Sequence, residues 1–191
     1  MILVSAGHHA LAKGATWQNW NEYDEAKTWR DDIVHTLEHH AAPVPSGLLR
    51  DKVKFINQVD PALAIEIHFN SAKNMRGHHV GSGCESLYKP EDHRSRHAAQ
   101  QLQMAMAEVF QPSRGAKEGW YRMDFPGRVD YHGDVDGDEK IDYFLRATNC
   151  PAVILEPEFI HRMKIVHTGK GLCCLAICNA LFHLMKDWDV I

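Results

Sequence analysis

Residues 62–70 have the sequence ALAIEIHFN, in which large apolar side chains alternate with small or polar ones. Such alternation is typical of a β-strand, because successive side chains point to opposite faces of a sheet. One face is wholly apolar and carries Leu63, Ile65, Ile67 and Phe69. The other face ends in Glu66, His68 and Asn70, so we predict a strand that delivers polar groups at its carboxyl end.

Further elements follow on both sides of this strand. Apolar runs of strand length occur at residues 1–6, 83–87 and 151–156. Helical spacing of apolar residues, with breaks at Gly and Pro, predicts helices over about 22–40, 49–60, 94–110 and 171–188. Residues 111–143 are the least regular part. Strands that alternate with helices predict an α/β fold: a single-domain three-layer sandwich with a mostly parallel central sheet and helices on both faces.

Composition limits the functional classes. The chain has 191 residues, 45% of them hydrophobic, which suffices for one sizeable core. A net charge of -4 argues against a partner held by bulk positive charge, such as nucleic acid. No apolar run approaches the length of a membrane span, and the first residues lack the features of a signal peptide. We therefore expect synthesis in the cytoplasm without a signal peptide.

Cysteine and histidine counts point to different chemistry. The five cysteines are odd in number and three of them crowd into residues 173–178, so we predict buried free thiols rather than a disulfide framework. Histidine is unusually frequent, with 14 residues, which directs attention to metal binding or proton transfer.

Three predicted strands end in polar residues. These ends carry Gly7-His8-His9, the segment from Glu66 to Asn70, and Glu156-Pro157-Glu158. Ligands of open α/β sheets bind outside the carboxyl ends of the strands, and a catalytic zinc takes three nitrogen or oxygen ligands from the protein. These strand ends therefore make a metal site a hypothesis, although a single strand-end histidine is more often structural.

Several motifs together resemble the zinc-dependent N-acetylmuramoyl-L-alanine amidases of the cell-separation and phage-lysin type, the Amidase_3 family. The motifs that resemble the family's are Gly7-His8, Gly14-Ala15 with Glu22, Leu49-Arg50 with Asn57, Glu66-Ile67-His68-Phe69-Asn70, Gly83-Cys84-Glu85-Ser86, Arg114-Gly115-Ala116-Lys117, and residues 145–156, LRATNCPAVILE. They occur in the family's order over nearly the whole chain, which makes the resemblance specific.

The resemblance implies a function and a site. It implies hydrolysis of the amide bond between the lactyl group of N-acetylmuramic acid and L-alanine, with peptidoglycan as substrate. By position it implies one Zn²⁺ per chain, held by His8, Glu22 and His68, with Glu156 as the catalytic carboxylate. It also suggests a phage or prophage endolysin that reaches the cell wall through a membrane pore. Residues 1–191 are then expected to be one catalytic domain without a separate wall-binding domain, and we expect a monomer.

Alternatives remain at several positions. His9 is a rival first ligand, Glu25 lies one helical turn after Glu22, and Glu158 is a second acidic candidate near Glu156. Glu66 shares the strand face of His68, but the sequence favours a place outside the site. Two rival functions are a zinc peptidase acting on stem peptides and a catalytically silent wall-binding module of the same fold.

Other features favour ordinary structural roles. The loop Asp134-Val-Asp136-Gly-Asp138-Glu139 is similar to a calcium loop but lacks the required glycine and final glutamate, so a solvated acidic loop is predicted. The aromatic residues Trp17, Trp20, Trp120 and Tyr121 could form a platform for a sugar or peptide, although packing is the commoner role. The pairs His39-His40 and His78-His79 are predicted to lie on the surface.

Overall fold

A computed structural model describes residues 1–119, 122–125, 128–130 and 142–191. The strands are β1 (Ile2–Ala6), β2 (Thr16–Trp17), β3 (Trp20–Asn21), β4 (Ala41–Pro43), β5 (Leu63–Ile67), β6 (Ala72–Lys73), β7 (His79–Val80), β8 (Cys84–Tyr88), β9 (Ser113–Glu118), β10 (Arg122–Phe125), β11 (Arg128–Asp130) and β12 (Ala152–Glu156). The α-helices are α1 (Glu22–Leu37), α2 (Leu49–Val59), α3 (His93–Ala107), α4 (Tyr143–Ala147) and α5 (Met163–Asp187). Short 3₁₀ helices cover Glu38–His40 and Ile160–Arg162.

Six strands form the central sheet, in the order β4-β1-β5-β12-β8-β9. The first four run parallel to one another, β8 is antiparallel to β12, and β9 is parallel to β8. The sheet is therefore mixed. The start of β8 lies at the same edge as the end of β12, because the two strands run in opposite directions.

Helices cover both faces of the sheet. On one face, α1, α3 and α5 pack on apolar side chains of β1, β5 and β12, and Trp29, Ile33 and Phe110 lie fully inside this cluster. On the other face, α2 and α4 pack on the opposite side chains of the same strands through Ile56 and Phe144. The predicted single-domain three-layer α/β sandwich is confirmed.

Strand β5 shows why the alternation predicted a strand. Leu63, Ile65 and Ile67 belong to the first cluster, whereas Ala64 belongs to the second. Every residue of β5 is buried, since it lies between β1 and β12 in the middle of the sheet.

The structure differs from the predicted elements in three places. Helix α5 begins at Met163, eight residues before the predicted start at Gly171. Gly169 lies inside the helix, where an added Cβ would lie 2.8 Å from the Phe110 ring. The segment predicted to be irregular contains β9, and the edge strand β4 was not predicted. These edge strands carry little alternation because one residue of β4 and none of β9 is buried.

The five cysteines all lie within the described residues, and each is a buried free thiol, as predicted. The expectation about membrane spans needs a correction. By length and composition alone, the helical stretch Ile160–Asp187 could cross a membrane. In the fold, one side of α5 packs against α1 and α3.

Candidate active site

The strand register brings the predicted site residues to one edge of the sheet. Ile67, the last residue of β5, pairs with Ala6 on one side and with Leu155 on the other. The backbone N–H of His68 donates to the carbonyl of Leu155 over 2.8 Å, and the N–H of Gly7 donates to the carbonyl of Ile67 over 2.7 Å. The residues that follow these three strands are therefore neighbours in space.

His8, Glu22 and His68 form one cluster of potential metal ligands. One donor atom from each lies within 4.8 Å of the other two. The two oxygens of Glu22 face different histidines: Oε2 lies 3.0 Å from His8 Nε2, and Oε1 lies 2.8 Å from His68 Nδ1. The side chain of Glu22 is 5% exposed, whereas those of His8 and His68 are 34% and 21% exposed. The cluster is thus closed on the carboxylate side and open toward solvent.

Two glycines leave room for this cluster. A Cβ at Gly14 would lie 2.4 Å from the His8 ring and 2.5 Å from Glu22 Oε2. Gly14 also has a φ of +72°, a left-handed conformation that is readily adopted by glycine. A Cβ at Gly7 would lie 2.6 Å from the His68 ring. Side chains at either position would displace a histidine of the cluster.

Local structure fixes the Glu22 carboxylate. Glu22 is the first residue of α1, and the preceding Asn21 caps the helix by accepting a hydrogen bond from the Asp24 N–H. The backbone N–H groups of Ala15 and Phe69 donate to the two Glu22 oxygens over 3.0 and 3.1 Å. Burial tends to raise the pKa of Glu22, but hydrogen bonds from the two histidines outweigh it and hold the pKa well below its ordinary value. The site therefore holds an ionised carboxylate.

The rival ligands His9 and Glu25 lie elsewhere. The Nδ1 atom of His9 accepts a hydrogen bond from the Leu11 N–H, in a turn at the surface. Glu25 lies 3.1 Å from His167 Nε2 on α5. Among the described residues, the structure brings His8 and Glu22, and not these neighbours, to His68.

Glu66 contacts the His68 ring, contrary to the expectation that it lies outside the site. Its Oε2 is 3.2 Å from His68 Nε2, and its Oε1 accepts from the Ser5 hydroxyl at 2.8 Å and from Lys52 Nζ at 3.1 Å. Lys52 also donates to the carbonyl of Ala6. Burial tends to raise the pKa of Glu66, but the hydrogen bond and charge of His68, with the charge of Lys52, lower it to about 2.

The protonation of His68 follows from the two carboxylates at its ring. In the metal-free protein, burial lowers the pKa of His68, whereas the hydrogen bonds to Glu22 and Glu66 raise it, and the net effect is a pKa well above the ordinary value. The two carboxylates hold the His68 ring in one orientation: Glu66 contacts Nε2, and Nδ1 faces Glu22.

Glu156 is a buried carboxylate with an unusual environment. Within the described structure its Oε2 is buried and has no hydrogen-bond partner. Burial raises its pKa to about 8, the charges of Glu85 and Glu22 add to this, and those of His68 and Arg114 oppose it. Because a carboxyl with such a pKa exchanges a proton near neutral pH, Glu156 is suited to general acid–base chemistry.

Glu85 faces Glu156 across the antiparallel pair of β8 and β12. Asn70 donates a hydrogen bond to one of its oxygens, Arg114 Nη1 lies 2.7 Å from the same oxygen, and Lys117 Nζ lies 2.6 Å from the other. The charge of Glu85 lies beside Glu156, and repulsion between the two carboxylates favours the protonated form of Glu156.

Glu158 has a structural position. It is fully buried, and its Oε1 accepts from the backbone N–H groups of Gly83 and Phe159 over 2.7 and 2.9 Å. Its Oε2 lies 3.3 Å from Arg162 Nε. Glu158 thus ties the start of β8 to the segment after β12, although its strand parity is that of Glu156.

The N-acetylmuramoyl-L-alanine amidase family model (Amidase_3) matches residues 2–164. The chain belongs to this family. Membership supports an amidase that acts on peptidoglycan and degrades the cell wall. No curated protein matches the chain in sequence.

Solved structures of amidases share the fold. An N-acetylmuramoyl-L-alanine amidase from Clostridium difficile 630 is 18% identical, with a TM-score of 0.74 over 97% of this chain and 96% of that one. The catalytic domain of CwlV, an amidase from Bacillus (Paenibacillus) polymyxa var. colistinus, is 17% identical, with a TM-score of 0.74 over 100% and 98%. The catalytic domain of an endolysin that targets Clostridia difficile is 19% identical, with a TM-score of 0.68 over 95% and 96%. At these identities the likeness is one of fold.

Sequence reasoning missed part of this amidase site. It did not assign roles to Ser5, Lys52 or Glu85. The available signal for these contacts was a charged residue inside an apolar strand, Glu66 in β5 or Glu85 in β8, because a buried charge requires partners. The candidate calcium loop at residues 134–139, with Trp120 and Tyr121, lies outside the described residues.

Proposed function

We propose that this amidase is zinc-dependent and hydrolyses the amide bond between the lactyl group of N-acetylmuramic acid and L-alanine in peptidoglycan. The observation that carries the proposal is the convergence of His8, Glu22 and His68 beside the buried, unpartnered carboxylate of Glu156. A buried carboxylate without a partner needs a functional reason, and proton transfer at a neighbouring centre supplies one.

The donor set fits zinc. Two imidazole nitrogens and one carboxylate oxygen are the ligands of many catalytic zinc sites, which keep a further position for water. The closed carboxylate side and the partly exposed histidines agree with such a site, as does the space that Gly14 leaves beside His8 and Glu22. When bound to these residues, zinc supplies a water of lowered pKa and a Lewis acid for the carbonyl oxygen.

Glu156 provides the proton path. Its Oε2 makes no hydrogen bond to the described residues, so the ionised carboxylate can accept the proton of the attacking water and pass it to the departing amine. Glu85, held by Arg114 and Lys117, sustains this proton affinity through repulsion. Glu66 and Glu22 meanwhile keep the His68 ring in one orientation.

Metal removal tests this function. Purified protein should contain about one zinc per chain, a chelator should abolish clearing of a peptidoglycan suspension, and added zinc should restore it. His8→Ala and Glu22→Gln should lose zinc and activity, whereas the matched controls His9→Ala and Glu25→Gln should keep both. Full activity in protein shown to contain no transition metal would overturn zinc dependence, and loss of zinc only in His9→Ala would reverse the ligand assignment.

We propose further that the protein acts as a phage or prophage endolysin, made in the cytoplasm and released to the wall through a pore. The fold it shares with an endolysin catalytic domain supports this role. Expression in a bacterial cytoplasm should cause lysis only when a pore-forming protein is co-expressed. Intact cells in the presence of both proteins, with an extract that clears isolated walls, would contradict the endolysin role.

A further inference from the structure

An open groove of about 540 Å³ lies on the surface of the protein. Two tryptophans, Trp17 and Trp20, line one side of it, and the other side is formed by His161, Arg162 and residues of the first turn of α5. Its volume is in the range of sites that hold small ligands.

The tryptophans sit on a tight hairpin. Trp17 of β2 pairs directly with Trp20 of β3, so the two side chains project from the same face. Gln18, in the two-residue turn between them, has a φ of +53°, which is uncommon for a residue other than glycine. Both indoles remain partly exposed. Such a hairpin presents two aromatic rings side by side at the surface.

Histidine rings hold the indoles in place. Trp17 makes edge contacts with His79 and His161, at centroid distances of 4.7 and 6.3 Å, and Trp20 makes one with His167 at 5.6 Å. His79, expected to be an ordinary surface residue, therefore supports Trp17. Rings that are fixed before a ligand arrives lose little conformational entropy on binding.

Each wall of the groove is close in the chain to residues of the candidate active site. The hairpin lies between Ala15 and Glu22, whose backbones are hydrogen-bonded over 2.9 Å, and Glu22 is a proposed ligand. The opposite wall follows Glu156 along the chain, and the Ile160 N–H donates to the Asn70 carbonyl over 2.8 Å. Both walls of the groove are therefore joined by short backbone connections to segments that carry the proposed site residues.

The lining selects against some ligands. Among the described residues that line the groove, none is acidic, so a cationic ligand finds no counter-charge there. The charge of Arg162 is balanced by the buried Glu158. Gln18 and Lys164 offer hydrogen-bond donors at the rim. Flat aromatic faces with hydrogen-bond donors around them match a pyranose ring, which has an apolar C–H face and a rim of hydroxyls.

We propose that the groove lined by Trp17 and Trp20 binds saccharide units of the glycan strand, with sugar C–H faces stacked on the indoles. This inference rests on the proposed amidase function, because the glycan carries the muramoyl group to be cleaved. It assigns the aromatic hairpin a role in substrate selection rather than in packing alone.

The test uses zinc-loaded protein carrying Glu156→Gln, so that binding is measured without turnover. Peptide-free oligosaccharides of alternating N-acetylglucosamine and N-acetylmuramic acid should bind saturably by calorimetry and change the tryptophan fluorescence. Adding Trp17→Ala should weaken binding by roughly tenfold, and Trp17→Phe should retain part of it, since each ring contributes stacking energy. Trp188→Phe, at the end of α5 against Arg94, is the matched control and should leave binding unchanged.

A second variant avoids any effect on the hairpin. Ile165→Arg, at an exposed lining position of α5, should fill the groove and weaken oligosaccharide binding while the zinc content and the thermal unfolding midpoint stay unchanged. Oligosaccharides that do not bind, or that bind equally to all variants, would overturn the proposal. Weakened binding of free stem peptides, with unchanged oligosaccharide binding, would assign the groove to the peptide instead.

Kinetics give an independent readout. The kcat/KM for a muramoyl peptide with several sugars should exceed that for a single-sugar muramoyl peptide, and Trp17→Ala should reduce this ratio toward one. An unchanged ratio would contradict the saccharide subsite. Because the binding test needs no hydrolysis, oligosaccharide binding without any amidase activity would show that the proposed function, and not the groove, is wrong.

Discussion

At the scale of single residues, the carboxylate of Glu66 illustrates how the site is built. It is buried together with Lys52, each side chain being 3% exposed, and it contacts His68 from below. A buried ion pair is weak evidence of stability, because desolvation offsets much of its attraction. A carboxylate on a ligand histidine, by contrast, fixes the ring and raises its basicity.

Glu66→Gln is therefore expected to weaken zinc binding by about 10–100-fold, because the amide keeps the shape but not the charge. Competition with a chromophoric chelator measures this affinity directly. Since the single change leaves Lys52 unpaired, the double variant Glu66→Gln/Lys52→Met is the control. It should recover thermal stability without recovering zinc affinity; recovery of both would reduce Glu66 to a structural role.

Glu156 leads to a prediction about pH and stability. In zinc-free protein its pKa is about 8 rather than 4.5, so the folded state retains a proton that the unfolded chain releases. This group's contribution to stability is complete below about pH 4.5 and is lost as the pH rises through 8. Glu156→Gln has no carboxyl at this position and does not lose this stability as the pH rises. In chelator, the difference in free energy of unfolding between Glu156→Gln and the unsubstituted protein should therefore shift by a few kcal/mol in favour of the variant from pH 5 to pH 9. Denaturant unfolding at both pH values measures the difference, and an equal difference at the two pH values would contradict a buried, protonated Glu156.

At the scale of elements, helix α5 contains two glycines with opposite surroundings. A Cβ at Gly171 would meet nothing within 4 Å, whereas one at Gly169 would lie 2.8 Å from both Phe110 and Val109. Gly171→Ala should raise the free energy of unfolding by about 0.5–1 kcal/mol, because alanine has the higher helix propensity. Gly169→Ala should lower it by roughly 1–3 kcal/mol through overpacking. Urea unfolding of both variants measures this, and a loss in Gly171→Ala would contradict the early start of α5.

The elements also show what sequence can predict. Strand β5 was predictable because its burial imposes alternation that sequence displays directly. Strand β9 was not, because its polar residues are held at the sheet edge by pairing with β8, an interaction between distant segments. The start of α5 was missed for a similar reason: the closeness of Phe110 favours Gly169, and nothing near Gly169 in sequence reveals that contact.

The candidate site, like the elements, was predictable from the sequence only in part. Motif positions and strand ends predicted the cluster of His8, Glu22 and His68, which the structure brings together. The contacts of Lys52 with Glu66 were not predictable, because they depend on how α2 packs under the sheet. Glu158 shows the limit of strand parity: the register with the β5 segment shifts by one residue between the pairs Leu155–Ile67 and Phe159–Asn70, and the Glu158 carboxylate accepts hydrogen bonds from backbone N–H groups instead.

At the scale of the whole molecule, the reversal of strand direction between β12 and β8 shapes the electrostatics of the site. Parallel strands β1, β5 and β12 bring their carboxyl ends to one edge, and the antiparallel β8 brings its first residues to the same edge. Glu85 thereby faces Glu156, and β9, parallel to β8, brings Arg114 close enough to hold Glu85. An all-parallel sheet would place the start of β8 at the opposite edge.

The bond that is cut tests the proposed function most directly. Zinc-loaded protein should be incubated with purified peptidoglycan, and the soluble products analysed by mass spectrometry after labelling of new amino groups. The account predicts intact stem peptides with a free amine on L-alanine, and glycan strands whose lactyl groups end in a carboxylate. New amino groups inside the stem peptide, or new reducing ends on the glycan without free L-alanine, would contradict it.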